Sequence, residues 1–261
     1  MNLSVLVRRN ILDPVRTRSL WVLLALFVLV FGLVGYLLGP NQFTSMPNLT
    51  ATIMGVLAPL AALVYSYESI AGPRQSGSLR VLLTYPYSRR QVVLGTLIGR
   101  VTIVLLAIVT GIVAAVLATA LAGGSIDIVS FALVLAASLL FTAVIVAVGI
   151  GISASVATTN RAAMLAFGFY LLFFAFWGQL PTVVRFVLNG FSFPTGRPPE
   201  WVAIWNQLNP FTAFNSVIQG LLTETASSAF YEALWFGVLV LLGWFVVSVI
   251  VGLIRFERAD L

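Results

Sequence analysis

The chain contains no cysteine and no histidine, and all 14 of its basic residues are arginine, so lysine is absent as well. Without cysteine and histidine it cannot form a disulfide, a thiolate nucleophile or the usual zinc site. Without lysine it lacks the phosphate-binding loop whose lysine contacts nucleotide phosphates. A serine here also has no histidine or lysine to act as its general base. We therefore expect no catalytic, metal or cofactor-binding site in this chain.

Charged residues are also scarce, at 8% of the 261 residues, whereas hydrophobic residues make up 60%. About a quarter of the residues in a soluble domain are charged, so these few charges could not cover a water-exposed surface. Long uncharged stretches instead predict helices that cross a bilayer, because backbone groups in lipid must pair internally. We predict an all-α membrane protein with six transmembrane helices in one transmembrane domain, 19–261. The predicted spans are about 19–38, 50–67, 92–122, 130–152, 162–184 and 230–254.

The arginines fall mainly on one side of these predicted spans. With the N-terminus placed in the cytoplasm, only Arg185 and Arg197 of the 14 arginines lie outside. Positive residues concentrate in the cytoplasmic loops of membrane proteins. The pattern therefore predicts a multi-pass protein of the cytoplasmic membrane with both termini in the cytoplasm. The net charge of +6 follows from this topology and does not indicate nucleic-acid binding.

The N-terminal segment 1–18 has helical periodicity of its own. Apolar residues recur every four positions from Leu3 to Val15, and Asp13 and several arginines lie opposite them. This pattern is typical of an amphipathic helix that lies on the inner membrane surface. The alternative is a simple basic flank that only orients the first span.

The segment 189–229, on the predicted outer side, carries short helical patterns before the last span. Trp201 and Trp205 are typical of a membrane interface. Asn209 followed by Pro210 predicts a helix start, because asparagine caps and proline fits the first turn. We predict short helices that re-enter or rest on the outer leaflet.

The cytoplasmic segment 68–91 is predicted to contain a short helix between the second and third spans. Leu79, Leu82 and Leu83 recur at helical spacing and form an apolar stripe. Pro86 ends this helix, and Ser88 can cap the next one. The stripe needs a cover, which is either a partner protein or the lipid interface.

The chain carries no acidic residue near the middle of a predicted span. Ion-coupled transporters place such residues inside their spans, so we expect any energy for uphill transport to come from another subunit. A stand-alone secondary carrier or channel is the alternative function. The predicted fifth span is rich in aromatic residues, which either pack against other helices and lipid or line a substrate pathway.

A longer pattern runs through the cytoplasmic segment. It comprises Gly77-Ser78-Leu79, Leu82-Leu83, Pro86, Ser88-Arg89 and Val92-Val93-Leu94-Gly95. This stretch resembles permease subunits of ABC transporters of the ABC-2 type, including permeases linked to the maturation of multicopper enzymes such as nitrous-oxide reductase. Weaker similarity at both ends extends the resemblance over most of the chain. Gln75 departs from the family pattern where an acid is usual, and Thr96 departs where lysine is frequent.

The resemblance implies that segment 68–91 carries a coupling helix seated in a groove of a separate ATPase subunit, which binds ATP and Mg²⁺. It also implies a permease homodimer with two ATPase copies, acting as an exporter. The leucines are expected to dock, Glu68 and Arg89 to bond polar groups of the ATPase, and Gly77 and Pro86 to shape the turns. The expected coupling residues are Glu68, Arg74, Gly77, Leu79, Leu82, Leu83, Pro86 and Arg89.

Overall fold

The computed structural model of the protein describes residues 3–40, 45–85, 87–193, 195–223 and 229–258. Within these ranges all regular structure is helical. The α-helices are α1 (Leu3–Arg16), α2 (Ser19–Leu38), α3 (Met46–Ser66), α4 (Ala71–Gln75), α5 (Ser78–Leu83), α6 (Arg89–Leu121), α7 (Ile128–Ser155), α8 (Thr159–Leu171), α9 (Leu180–Leu188), α10 (Glu200–Gln207), α11 (Pro210–Leu222) and α12 (Leu234–Glu257).

Six helical stretches of the described chain are long and apolar enough to cross a membrane. They are Ser19–Leu38, Met46–Gln75, Arg89–Leu121, Ile128–Ser155, Thr159–Leu188 and Leu234–Glu257. The prediction of an all-α membrane protein with six transmembrane helices is therefore confirmed. The second span, α3, begins at Met46, four residues before the predicted position 50, because Pro47 fits its first turn.

Helix α7 lies at the centre of the bundle and packs against α3, α6, α11 and α12. Small residues let these helices approach closely, as in other membrane bundles. A side chain at Gly149 would collide with the hydroxyl of Ser66 on α3, and one at Gly151 would meet the backbone of Ser248 on α12. The central helix therefore joins the second span to the last one.

The fifth span is interrupted by a π-helical turn at Leu172–Phe176, followed by a 3-10 turn. Such turns disturb the regular backbone hydrogen bonds of a helix. The side chain of Asn209 donates to the carbonyl of Phe173 at 2.6 Å, and the indole of Trp205 donates to the carbonyl of Trp177 at 3.4 Å. Contacts with the α10–α11 region thus satisfy the interrupted backbone, where the sequence predicted one continuous helix.

The aromatic residues of the fifth span divide between two environments. Tyr170 and Phe173 are buried, and their rings lie edge-on to Phe211 and Trp244 respectively. Phe167 is 63% exposed. The inward aromatic side chains therefore pack against α11 and α12. This agrees with the hypothesis that the aromatic residues of the fifth span pack against other helices and lipid.

Helix α1 packs along α6. Leu6 and Pro14 are buried, and the side chain of Asn10 lies over Gly99, where a larger residue would collide with it. Asp13 is exposed together with the neighbouring arginines. The helix is amphipathic, and its buried face contacts a protein helix.

Two short helices, α10 and α11, precede the last span, where the sequence of segment 189–229 predicted short helices. The side chain of Asn209 accepts from the amide of Phe211 at 2.8 Å, which confirms it as the cap of α11. Phe214 of α11 stacks on Phe141 of α7 with ring centroids 4.5 Å apart. This stacking seats α11 against the central helix of the bundle.

Candidate functional site

The segment that joins α3 to α6 folds as two short helices separated by a left-handed turn. Helix α4 ends at Gln75, and Gly77 then takes φ +76° before α5 begins at Ser78. Glycine adopts this conformation without steric cost, so Gly77 shapes the turn as expected. Ser88 and Gln91 form a reciprocal capping box at the start of α6, which confirms the predicted cap.

The base of this segment is held by Ser153, near the end of α7. Its hydroxyl oxygen accepts from the amides of Ile70 and Ala71, both at 3.0 Å. All three residues are buried. Ser153 thus caps α4 from another helix, because the first amides of a helix have no partner within it. Sequence analysis missed this residue, since the two partners are more than 80 positions apart.

The side chains at the end of α4 contact the turn between α7 and α8. A guanidinium nitrogen of Arg74 donates to the carbonyl of Val156 at 3.4 Å. The side-chain oxygen of Gln75 accepts from both the amide and the hydroxyl of Thr159, each at 2.8 Å. The residue that departs from the family pattern therefore caps α8 through a neutral oxygen, a role that a carboxylate can also fill.

Of the three leucines in the predicted apolar stripe, Leu79 and Leu82 have described side chains, and both pack inward. Leu79 is only 2% exposed, and it lines a cavity of about 100 Å³ together with Leu6 of α1 and Arg100 of α6. Leu82 is half-buried against the same core. The expectation that Leu79 docks on a partner stays a prediction, and in this structure α1 and α6 cover its side chain. Leu79 and Leu82 hold α5 to the chain itself.

The face of α5 opposite Leu79 and the two residues that follow the helix are exposed. Val81 is 64% exposed and Tyr85 is 55% exposed, and they are four positions apart. Arg80 and Thr84 are exposed beside them. These four residues, which we call the α5 outer face, combine two apolar side chains with one positive charge. An exposed apolar surface with a polar surround is typical of a protein interaction site.

Arg89 and Arg90 at the start of α6 contact the end of the last helix. Arg89 donates to the carbonyls of Phe256 and Glu257 at 3.0 and 2.8 Å. Arg90 forms an ion pair with the Glu257 carboxylate. Cationic groups stabilise a helix C-terminus. These contacts direct the guanidinium of Arg89 to α12, and the expectation that Arg89 bonds an ATPase stays a prediction.

The remaining predicted residues differ in how far the structure describes them. Glu68 is exposed just beyond α3, where a partner can reach it. Leu83 belongs to α5, but its side chain lies outside the described residues, as does Pro86 altogether. Within the described chain no three acidic, histidine or cysteine side chains come together to hold a metal ion.

The segment is thus a small, rigid projection with one free face. Its contacts reach α1, α7, α8 and α12, so a force applied to the α5 outer face acts on several spans together. Hydrogen bonds that satisfy buried backbone groups are costly to break. The arrangement suits the mechanical transmission of a partner's movement.

Comparison with known proteins agrees with this architecture. A family model described as "ABC-2 family transporter protein" matches residues 5–261. The chain is 29% identical over 272 residues to the "Probable ABC transporter permease protein NosY" of Stutzerimonas stutzeri, covering 97% of each protein. It is 27% identical over 223 residues to the protein of the same name from Pseudomonas aeruginosa, covering 80% of each.

Proposed function

The chain belongs to the ABC-2 family of transporter proteins and is a permease subunit of an ABC transporter, and on this premise we propose that it converts ATP hydrolysis by a separate ATPase subunit into a conformational change across the membrane, in the direction of export. ATP and Mg²⁺ bind to the ATPase, and this chain holds no cofactor. Two permease copies and two ATPase copies form the transporter.

The observation that carries the proposal is the α5 outer face on its rigid support. Val81 and Tyr85 offer apolar contact to a groove, and Arg80 offers a charge that a carboxylate on the ATPase can pair with. Glu68 lies at the other end of the segment and supplies a negative group. The docking residues are therefore the exposed ones, while Leu79 and Leu82 of the predicted set support them.

The contacts of the segment support a common side for both termini. Leu79 meets α1 near the N-terminus, and Arg89 meets α12 near the C-terminus. The arginine-rich ends and the segment then share the cytoplasmic side, where the ATPase is found. The protein is a multi-pass membrane protein, and we place both of its ends in the cytoplasm.

Movement of the ATPase reaches the spans through fixed contacts. When ATP closes the ATPase pair, the α5 outer face moves with its groove. Ser153 and Gln75 then carry the displacement to α7 and α8, and Arg89 carries it to α12. A ligand can shift a conformational equilibrium only through contacts that differ between the two states, so coupling depends on these anchors.

The test replaces two exposed side chains by acids in the permease expressed with its ATPase. Val81→Asp with Tyr85→Asp is expected to abolish co-purification of the ATPase without lowering the thermal stability of the permease. The matched control is Phe191→Asp with Phe193→Asp, which are 72% and 79% exposed near the predicted outer end of the fifth span. The control is expected to retain the ATPase.

A third variant separates docking from support. Leu79→Ala removes a buried side chain and is expected to lower the thermal stability, because cavities in a packed core destabilise it. Full retention of the ATPase by the Val81/Tyr85 double variant, with hydrolysis still coupled to transport, would refute the proposed docking face.

A further inference from the structure

The corner between α1 and α2 holds an open cavity of about 590 Å³ that the coupling function does not use. It is lined by Val15, Arg16, Arg18, Trp21, Val22 and Ala25. We propose that this cavity binds an anionic phospholipid, with the phosphodiester between Arg16 and Arg18 and an acyl chain along α2. The site lies at the membrane boundary, since α2 is the first span.

The cavity carries uncompensated positive charge. Arg16 and Arg18 are both exposed. The acid in α1, Asp13, lies 3.7 Å from Arg9 and one turn before Arg16. Four arginines against this one acid between positions 3 and 18 leave a surplus of three positive charges. Arginine forms paired hydrogen bonds with phosphate oxygens, and basic clusters beside a span attract anionic headgroups.

The backbone at the corner is held in an unusual conformation that presents Arg18. This residue has φ +61°, in the left-handed region that non-glycine residues rarely occupy. The hydroxyl of Thr17 donates to the carbonyl of Asp13 at 3.1 Å, and the hydroxyl of Tyr65 donates to the carbonyl of Ser19. These bonds hold the corner in place. Such local strain at a fixed position is typical of binding sites.

The start of α2 adds to the same attraction. Its N-cap residue, Arg18, makes no side-chain capping hydrogen bond in the described part of the chain, so the leading amides of α2 keep their capacity to donate. The first amides of a helix carry a partial positive charge that favours a phosphate. This contribution reinforces the two arginines, on which the site depends.

An apolar wall continues from the charged corner along the outside of α2. Trp21 is 60% exposed and Val22 is 70% exposed, and Ala25 lies in the next turn. One turn further, Leu29 is 65% exposed. A free phosphate gains nothing from an apolar wall, whereas an acyl chain can pack along it. The combination of charge and apolar wall therefore favours a lipid over a soluble anion.

The experiment measures lipid selectivity by native mass spectrometry of the permease purified with its ATPase. Phosphatidylglycerol and phosphatidylcholine with the same acyl chains are added together. Arg16→Gln with Arg18→Gln is expected to lower the preference for phosphatidylglycerol about thirty-fold, since each arginine near an anionic lipid contributes about five-fold. The control, Arg161→Gln with Arg255→Gln, removes the same charge at exposed positions away from the cavity.

A second variant tests the acyl wall while both arginines remain. Ala25→Trp fills the groove at an exposed position, so the fold tolerates it, and it is expected to weaken phosphatidylglycerol binding as well. Equal binding of the two lipids by the unmodified protein would overturn the proposal, as would equal losses in the arginine variant and its control. Displacement of the lipid by soluble glycerol phosphate would also overturn it, because the site would then bind a free anion.

Discussion

Replacing Ser153 by alanine tests whether the coupling segment is anchored through α7. The substitution removes one oxygen and leaves the amides of Ile70 and Ala71 buried without their partner. An unsatisfied buried amide costs about 1–3 kcal/mol, so the two together cost about 2–6 kcal/mol. The small change in side-chain volume adds little to this value.

Ser138 provides the matched control on the same helix. It is also fully buried, but its hydroxyl has no hydrogen-bond partner among the described residues. Ser138→Ala therefore removes a desolvated polar group that gains nothing from the fold, and we expect it to be neutral or slightly stabilising. The two variants differ in hydrogen bonding and not in burial or in the atoms removed.

The assay is thermal unfolding of both variants in the same detergent, followed by amide hydrogen exchange. For a protein of this size, about 2–6 kcal/mol corresponds to a melting temperature lower by about 4–24 °C. Exchange in residues 70–76 is expected to accelerate about thirty-fold or more in Ser153→Ala, because the local opening free energy falls. Equal melting temperatures and equal exchange in the two variants would refute the anchoring role of Ser153.

Three further predictions concern single contacts. Gly77→Ala is expected to destabilise the protein by about 1 kcal/mol, because the positive φ at this position disfavours a Cβ atom. Gly168→Ala is the control and is expected to stabilise the protein, because Gly168 lies in an ordinary helix with open space around it. The melting temperatures of the two variants in one detergent test this difference. Gln75→Ala is expected to speed amide exchange at the start of α8, whereas Gln75→Glu keeps the acceptor and preserves protection. The Ser130 hydroxyl donates to the Asp127 carboxylate and lowers the pKa of Asp127 below its usual 3.8. This contact therefore stabilises the fold above pH 3.8, and the stabilisation is lost as the pH falls through the lowered pKa. Ser130→Ala is expected to weaken the acid-side loss of stability, measured from pH 6 to about pH 3.

Some local features followed directly from residue patterns. Ser88 caps α6 and Asn209 caps α11, and both were expected from a polar residue placed just before a helical run. Gly77 takes the left-handed conformation at the turn where a glycine was expected to shape the chain. These features involve residues a few positions apart, so the sequence contains all the groups that form them.

The docking expectations for Leu79 and Arg89 share one basis. The stripe that includes Leu79 has the spacing of a docking surface, and Arg89 has the chemistry of one. In the fold Leu79 is covered by α1 and α6, while Arg89 reaches the carbonyls that end α12. A spacing pattern reveals that a helix has an apolar face, but not whether the chain or a partner covers that face.

The long uncharged, apolar stretches determined that this protein is a bundle of membrane helices, because a helix of that length crosses the bilayer and pairs its backbone groups internally. Local capping patterns likewise determined where several of these helices begin. Tertiary structure decided that Ser153 anchors the segment between α3 and α6, and that the fifth span breaks at its π turn. It also decided that Val81 and Tyr85 are exposed on the α5 outer face. These outcomes depend on groups far apart in the chain, and only packing brings such groups within hydrogen-bonding or van der Waals distance.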